Sequence, residues 1–215
     1  MSKLRSTRTN AAFIGAVAAM AVLSWLAASF GKFPGDEEAL RGFQSLRSGA
    51  LDDVMRGLSW LGHVGVGTAL TAALGVGLLM AKRGWETLAC LMIGIAPGIN
   101  ALMKEMVGRP RPEFALFQPA PSSLAFPSGH AVFAVTFFGF AAFLVSQTDW
   151  KRWVKGVVIG TLGLIILGIG TSRVYLGVHW PSDVAGGYLA GGVLLASIIY
   201  LTNTYLNRNK KQRSA

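Results

Sequence analysis

"FPSGHAVFAVTFFGFAAFLVSQTD", Phe126 to Asp149, carries no charged residue before its final position. From Gly129 to Thr148 it is apolar, and at ~1.5 Å per helical residue it is long enough to cross a hydrocarbon core of ~30 Å. Yet it opens on Pro127, Ser128, Gly129 and His130: a helix breaker, then three residues that bring polar groups or bare backbone. A membrane span with polar chemistry at its mouth is the reading that organises the rest of the chain.

Further charge-free windows run from Arg8 to Lys32, Arg56 to Lys82, Glu86 to Lys104, Lys155 to Arg173 and Asp183 to Arg208. The window from Glu113 to Asp149 is too long for one helix, so its first part, through Pro119, Pro121 and Pro127, reads as a loop. Of the 215 residues 52% are hydrophobic and only 14% charged, against ~25% charged in soluble domains. Six spans are therefore expected, at 10–31, 58–81, 86–104, 129–148, 154–171 and 182–206. Only helices and closed barrels satisfy the backbone in lipid, and these runs are too long and too evenly apolar for barrel strands. The expected fold is all-α, a polytopic membrane protein forming a single domain over 1–215. Basic residues, an apolar stretch and Ala27-Ala28-Ser29 resemble a cleavable signal. The apolar region exceeds a ~7–15-residue signal core, which favours a retained helix. The single cysteine, Cys90, lies inside the third span and excludes an intrachain disulfide.

Charge placement sets the expected orientation. With both termini on one side, that side holds twelve Lys and Arg against Glu86 and Asp149, and the other holds eight basic against eight acidic residues. The positive-inside rule puts both ends in the cytoplasm, within a cytoplasmic (inner) membrane. The net +10 then faces the cytoplasmic leaflet, where anionic lipid is its partner and no nucleic acid is needed. All six Trp fall near span ends, as interfacial belts require. Gly156/Gly160 and Gly187/Gly191 read as helix-packing surfaces, and Pro97 with Gly98 as a kink in the third span.

This topology gathers Lys104, Arg109, Arg111, Ser128, His130, Arg173, His179 and Asp183 on the exterior face. The remaining exterior connection, Lys32 to Arg56, has no recognisable motif; its amphipathic stretch fits a helix lying in the interface. Several cations, two histidines and one carboxylate do not suit Mg²⁺ or Ca²⁺, which need several oxygen ligands. Zinc could use two His and an Asp, but the flanking arginines would repel it. The set suits a dense anion, and the arginine fork suits phosphate. At the start of the fourth span, Ser128 can cap, Gly129 admits close approach to the backbone, and the free amides favour an anion. Of two histidines, one attacks phosphorus and the other, protonated, donates to the leaving oxygen. A carboxylate must orient the nucleophile. Asp183, four residues after His179 and in the first turn of a helix opened by Pro181, assigns His179 as nucleophile and His130 as acid. Arg173 and His179 lie ~240° apart on an ideal helix wheel, so the chain must bend at Gly177.

These residues resemble the signature of the type-2 phosphatidic acid phosphatase superfamily: K-x6-R-P, P-S-G-H and S-R-x5-H-x3-D. They stand here as Lys104 with Arg111-Pro112, Pro127 to His130, and Ser172-Arg173 with His179 and Asp183. Within it the chain is similar to small bacterial phosphatidylglycerophosphate phosphatases. The resemblance implies metal-independent hydrolysis of a lipid phosphomonoester or diphosphate through a phosphohistidine on His179, with no cofactor. It implies that Asp183 orients His179, that His130 protonates the leaving group, and that Lys104, Arg111, Ser128, Gly129 and Arg173 hold the phosphoryl oxygens. The implied partner is a phosphorylated membrane lipid: phosphatidylglycerophosphate, phosphatidic acid, undecaprenyl diphosphate or lipid A 1-phosphate. A phosphotransferase could use the same site.

A transporter of anions or phospholipid would place charges inside spans, and these interiors hold no Asp, Glu, Lys or Arg. An intramembrane serine protease pairing Ser128 with a histidine leaves the cations without a task. His63, near the outer end of the second span, reads as structural; Arg109 would touch a head group or stand in solvent. Glu105 would point away from Lys104, and Tyr175 and Trp180 would pack at the interface. The oligomeric state is open.

Overall fold

The computed structural model describes residues 2–116 and 122–213 and, within helices, the side chains of 11–202. Pro119 and Pro121, read above as loop, lie outside the described residues. Eight helices follow in order: α1 (Ser2–Ser29), α2 (Asp36–Ser45), α3 (Gly49–Leu61), α4 (Val64–Met80), α5 (Gly84–Val107), α6 (Gly129–Ser146), α7 (Arg152–Tyr175) and α8 (Pro181–Arg213).

Five helices are long and apolar enough to span a membrane: α1, α5, α6, α7 and α8 up to Thr202. The span expected at 58–81 is instead split. α3 and α4 meet that test only together, bent by 53° at a short break. The reason lies in Gly62-His63. His63 adopts an extended backbone as the N-cap of α4, and its Nδ1 accepts from the Gly65 amide at 3.2 Å. A side chain that caps a new helix ends the previous one. α5 continues through Pro97 as one helix.

Core packing runs through α6, which lies against α7 and α8. Phe137, Phe138 and Phe140 of α6 are buried with Ile93 of α5, Ile169 of α7 and Ile198 of α8. Helices in lipid associate through close packing rather than hydrophobic burial, so small residues let backbones approach. A Cβ on Gly187 would come within 2.7 Å of the Ser128 carbonyl, and one on Gly191 within 2.8 Å of Val135 Cβ. These two glycines are the α6–α8 seam. Gly156 and Gly160, expected to act likewise, have open space where a Cβ would stand.

The short α2 does more than lie in an interface. Leu40 is fully buried with Val174, Trp180 and Val184, and Gln44 Nε2 donates to the carbonyls of Phe114 (2.9 Å) and Tyr175 (3.3 Å). α2 thus covers the end of the bundle where α5 and α7 stop and α6 and α8 start. That cover, with α3 beside it, corrects two expectations of interfacial packing. Trp180 is buried and its indole donates to the Pro110 carbonyl at 3.4 Å. Tyr175 is buried and its hydroxyl donates to Asp52 at 2.5 Å. Trp25, Trp60, Trp150 and Trp153 are exposed, as a belt facing lipid head groups requires.

Candidate active site

α7 ends at Tyr175, and Gly177 turns the chain with φ +71°. This left-handed conformation costs glycine little, and a Cβ there would collide with the Phe114 carbonyl. The turn brings His179 back beside Arg173, and the amides of Val178 and His179 both donate to the Arg173 carbonyl at 3.2 and 3.3 Å. Pro181 then opens α8 and puts Asp183 in its first turn.

Asp183 has no exposed surface, and its Oδ2 lies 3.3 Å from His179 Nδ1 while accepting from the Trp180 amide at 2.8 Å. On the other side of the ring, Arg111 Nη1 lies 3.0 Å from His179 Nε2. A guanidinium has no acceptor, so Nε2 must offer its lone pair and Nδ1 must carry the proton toward Asp183. The two neighbours together dictate the tautomer. His179 is itself buried. Burial, then the charges of Arg111, Arg173 and Lys104, hold its pKa well below the usual imidazole value. It is a neutral base whose Nε2 lone pair faces the Arg111 guanidinium.

Around that lone pair the structure gathers most of the expected residues. Lys104, Arg111, Gly129, His130, Arg173 and His179 line one cavity of about 1150 Å³. Lys104, buried in the last turn of α5, donates to the carbonyls of Leu124 and Ala125. Arg111 donates to the Val178 carbonyl at 2.6 Å and to Ser123 Oγ at 2.9 Å, and burial lowers its pKa from the usual guanidinium value. Arg173 Nη1 donates to Ser59 Oγ of α3. His130 sits in the first turn of α6 with its ring against Gly62, where a Cβ would come within 2.8 Å of it.

Ser128 departs from expectation. It occupies the N-cap of α6, but its side chain makes no cap bond, and its amide donates to the Asp183 carbonyl at 3.0 Å. That amide is not free for an anion; the bond instead ties α6 to the start of α8. The unpaired amides at this end begin with Gly129, as the first turn of any helix leaves them. Ser128 Oγ and Arg173 Nε are buried and lack hydrogen-bond partners. Two unmet donors on residues of the expected cradle are groups a phosphate oxygen can satisfy. The third such atom among the described residues is Oδ1 of Asn100, one turn before Lys104 on α5. Asn100 also gives Gly129 a reason of its own, because a Cβ there would lie 3.0 Å from the Asn100 amide nitrogen. Nothing in the sequence pattern singled out Asn100 or Ser59.

One residue falls outside both readings offered for it, while His63 keeps the structural role expected of it. Arg109 touches neither a head group nor solvent: its side chain is fully buried and paired with Asp36 at 2.9 Å and Asp183 at 2.6 Å. His63, besides capping α4, lines the cavity mouth. Glu105 is exposed while Lys104 beside it is buried, as expected. The cavity continues between α4 and α5 past Val76, Leu79 and Leu91. A polar end and an apolar shaft fit an amphiphile.

Comparison with known proteins shows what the chain is similar to. A model of the PAP2 superfamily matches residues 85–207. The chain is 34% identical over 161 residues to phosphatidylglycerophosphatase B of Bacillus subtilis (strain 168), covering 74% of this chain and 79% of that one. It is 38% identical over 76 residues to an undecaprenyl-diphosphatase of Sulfolobus acidocaldarius, covering 35% and 32% of the two chains. Among solved structures it is similar to the crystal structure of a transmembrane PAP2 type phosphatidylglycerolphosphate phosphatase from Bacillus subtilis. That match has a TM-score of 0.75 and 29% identity, over 87% of this chain and 96% of that one.

The tautomer and the low pKa are open to direct measurement. The chain has three histidines, so ¹⁵N-histidine signals are assignable with His63→Gln and His130→Gln variants. At pH 7, His179 should show a protonated Nδ1 and a bare Nε2, and should stay neutral well below pH 6.5. Arg111→Met removes a cation and should move that titration to higher pH. A protonated Nε2, or titration at the ordinary imidazole value, would contradict the geometry.

Proposed function

The chain belongs to the PAP2 superfamily, and on that premise we propose that it removes the terminal phosphate of a membrane lipid phosphate or diphosphate through a phosphohistidine on His179, without a metal ion. The observation that carries this reading is the lone pair of His179 Nε2, fixed between Arg111 and Asp183 at the polar end of a lipid-sized cavity. Nε2 attacks phosphorus, and the bond from phosphorus to the lipid oxygen breaks. His130 gives that oxygen its proton. Lys104, Arg111, Arg173, the Ser128 hydroxyl and the first amides of α6 hold the equatorial oxygens and stabilise the charge that builds there. Asp183 stabilises the positive ring of the intermediate. Water then attacks phosphorus and gives a proton to His130, the N–P electron pair returns to Nε2, and inorganic phosphate leaves.

The substrate class is a lipid with a terminal phosphate, of which phosphatidylglycerophosphate, phosphatidic acid and undecaprenyl diphosphate are the candidates. Relatives named for the first and last of these share the family, and the shared requirement is an exposed phosphate above apolar chains.

The purified chain, assayed in detergent with EDTA, should release phosphate from at least one of these lipids and be inhibited by vanadate. His179→Ala should abolish turnover. Asp183→Asn should lower kcat by ~10²–10⁴-fold, the cost of losing an orienting carboxylate. Full activity in His179→Ala, or activity lost in EDTA and restored by Mg²⁺ or Zn²⁺, would overturn the proposal.

The charge asymmetry further supports a site on the exterior face, with both termini in the cytoplasm. In a Cys90→Ser background, a cysteine replacing exposed Gly49, the first residue of α3, should react with an impermeant maleimide in intact spheroplasts. A cysteine replacing exposed Gln147, between α6 and α7, should react only after lysis. The opposite pattern would put the site on the cytoplasmic face.

A further inference from the structure

Behind Asp183 lies a buried assembly that no signature position accounts for. Arg109 has no exposed side-chain surface. Its Nη1 donates to Asp183 Oδ1 at 2.6 Å and to Ser182 Oγ at 2.8 Å, its Nη2 to Asp36 Oδ2 at 2.9 Å, and its Nε to the Gly31 carbonyl at 3.2 Å. Asp36, in the first turn of α2, is buried as well. Its Oδ1 accepts from the Ser182 amide at 3.0 Å, and its Oδ2 from Ser182 Oγ at 2.6 Å and the Phe33 amide at 2.9 Å. One guanidinium therefore bridges two carboxylates drawn from opposite ends of the sequence.

The charge count of this triad bears on His179. A lone carboxylate in a dry site is costly and tends to take up a proton. A carboxylate paired one-to-one with arginine is an anion, but the pair is neutral and offers little field to a positive ring beside it. Asp36 restores the balance: two carboxylates and one guanidinium sum to −1, the charge an orienting Asp183 must present. The fork also fixes direction. With Oδ1 held by Arg109 and Oδ2 by the Trp180 amide, Asp183 cannot rotate away from His179 Nδ1.

We propose that Asp36 and Arg109 are positioning residues of the reaction: they hold Asp183 in place and keep the net charge behind His179 at −1, so that a positive His179 ring is stabilised. A mere fold anchor would need no second carboxylate, since buried ion pairs are weak contributors to stability. Neither residue is among those that line the cavity, and both are buried behind Asp183. The inference rests on the phosphohistidine reading above.

The test uses the purified full-length chain in detergent, with dioctanoyl phosphatidic acid as substrate and inorganic phosphate as competing ligand. Asp36→Asn keeps the shape and removes the charge. It should lower kcat by roughly 10- to 100-fold, the usual cost of losing an outer-layer partner, with the inhibition constant for phosphate unchanged or tighter because the site is less negative. Asp36→Glu should recover part of kcat. Arg109→Lys keeps the charge but loses the fork, and should also lower kcat with phosphate inhibition held within about threefold; it serves alone if Asp36→Asn does not fold. Unchanged kcat in the folded variants would overturn the inference. So would kcat, KM and phosphate inhibition worsening together with no rescue by glutamate, the pattern of a fold anchor. A wild-type chain active through His179 but indifferent to Asp36 refutes only this inference. A wild-type chain inactive on every lipid phosphate refutes the reading beneath it.

Discussion

The contact between His179 and Asp183 is the constraint around which this end of the bundle is arranged. An imidazole can attack phosphorus only if its lone pair faces the substrate, and a ring with two nitrogens has two ways to be wrong. Asp183 on one side and Arg111 on the other leave a single tautomer. Every element that meets here serves that geometry. The Gly177 turn returns His179 to Arg173, Pro181 starts α8 so that Asp183 falls in its first turn, and the Ser128 amide locks α6 to the Asp183 carbonyl.

The same contact explains why the connection between α1 and α3 folds inward. α2 buries Leu40 against Trp180 and Val184, sets Gln44 across two loop carbonyls and delivers Asp36 to Arg109. The cover also keeps water from the carboxylate, and a drier site strengthens each charge–charge term within it. On the open side the cavity descends between α4 and α5, so a phosphate can be held among cations while its apolar chains stay in hydrocarbon.

What the sequence discloses here follows from range. Helix content and the positions of α1, α5, α6, α7 and α8 were legible because charge and its absence mark spans locally. The placement of Lys104, Arg111, Ser128, His130, Arg173, His179 and Asp183 was legible because fixed short spacings put them at helix ends at one end of the bundle, and the structure gathers them there. The break at Gly62-His63 was not legible, since no charge interrupts that window and only the cap reveals it. The partners of Arg109 were hidden for a different reason. They lie 73 and 74 residues away in sequence, and an arginine two places from a signature arginine looks like a spare cation. Trp180 and Tyr175 were misread because nearness to a span end normally means lipid head groups, and here it means α2 for Trp180 and α3 for Tyr175.

The most direct measurement is the position of the phosphate on the trapped intermediate. A lipid substrate carrying ³²P in its terminal phosphate, quenched within the first turnovers under alkaline conditions that preserve phosphohistidine, would label the chain for peptide mapping and ³¹P NMR. The account predicts label on His179 alone, bonded to Nε2. Label on Nδ1 of that ring, on His130, or on the Ser128 hydroxyl would contradict it.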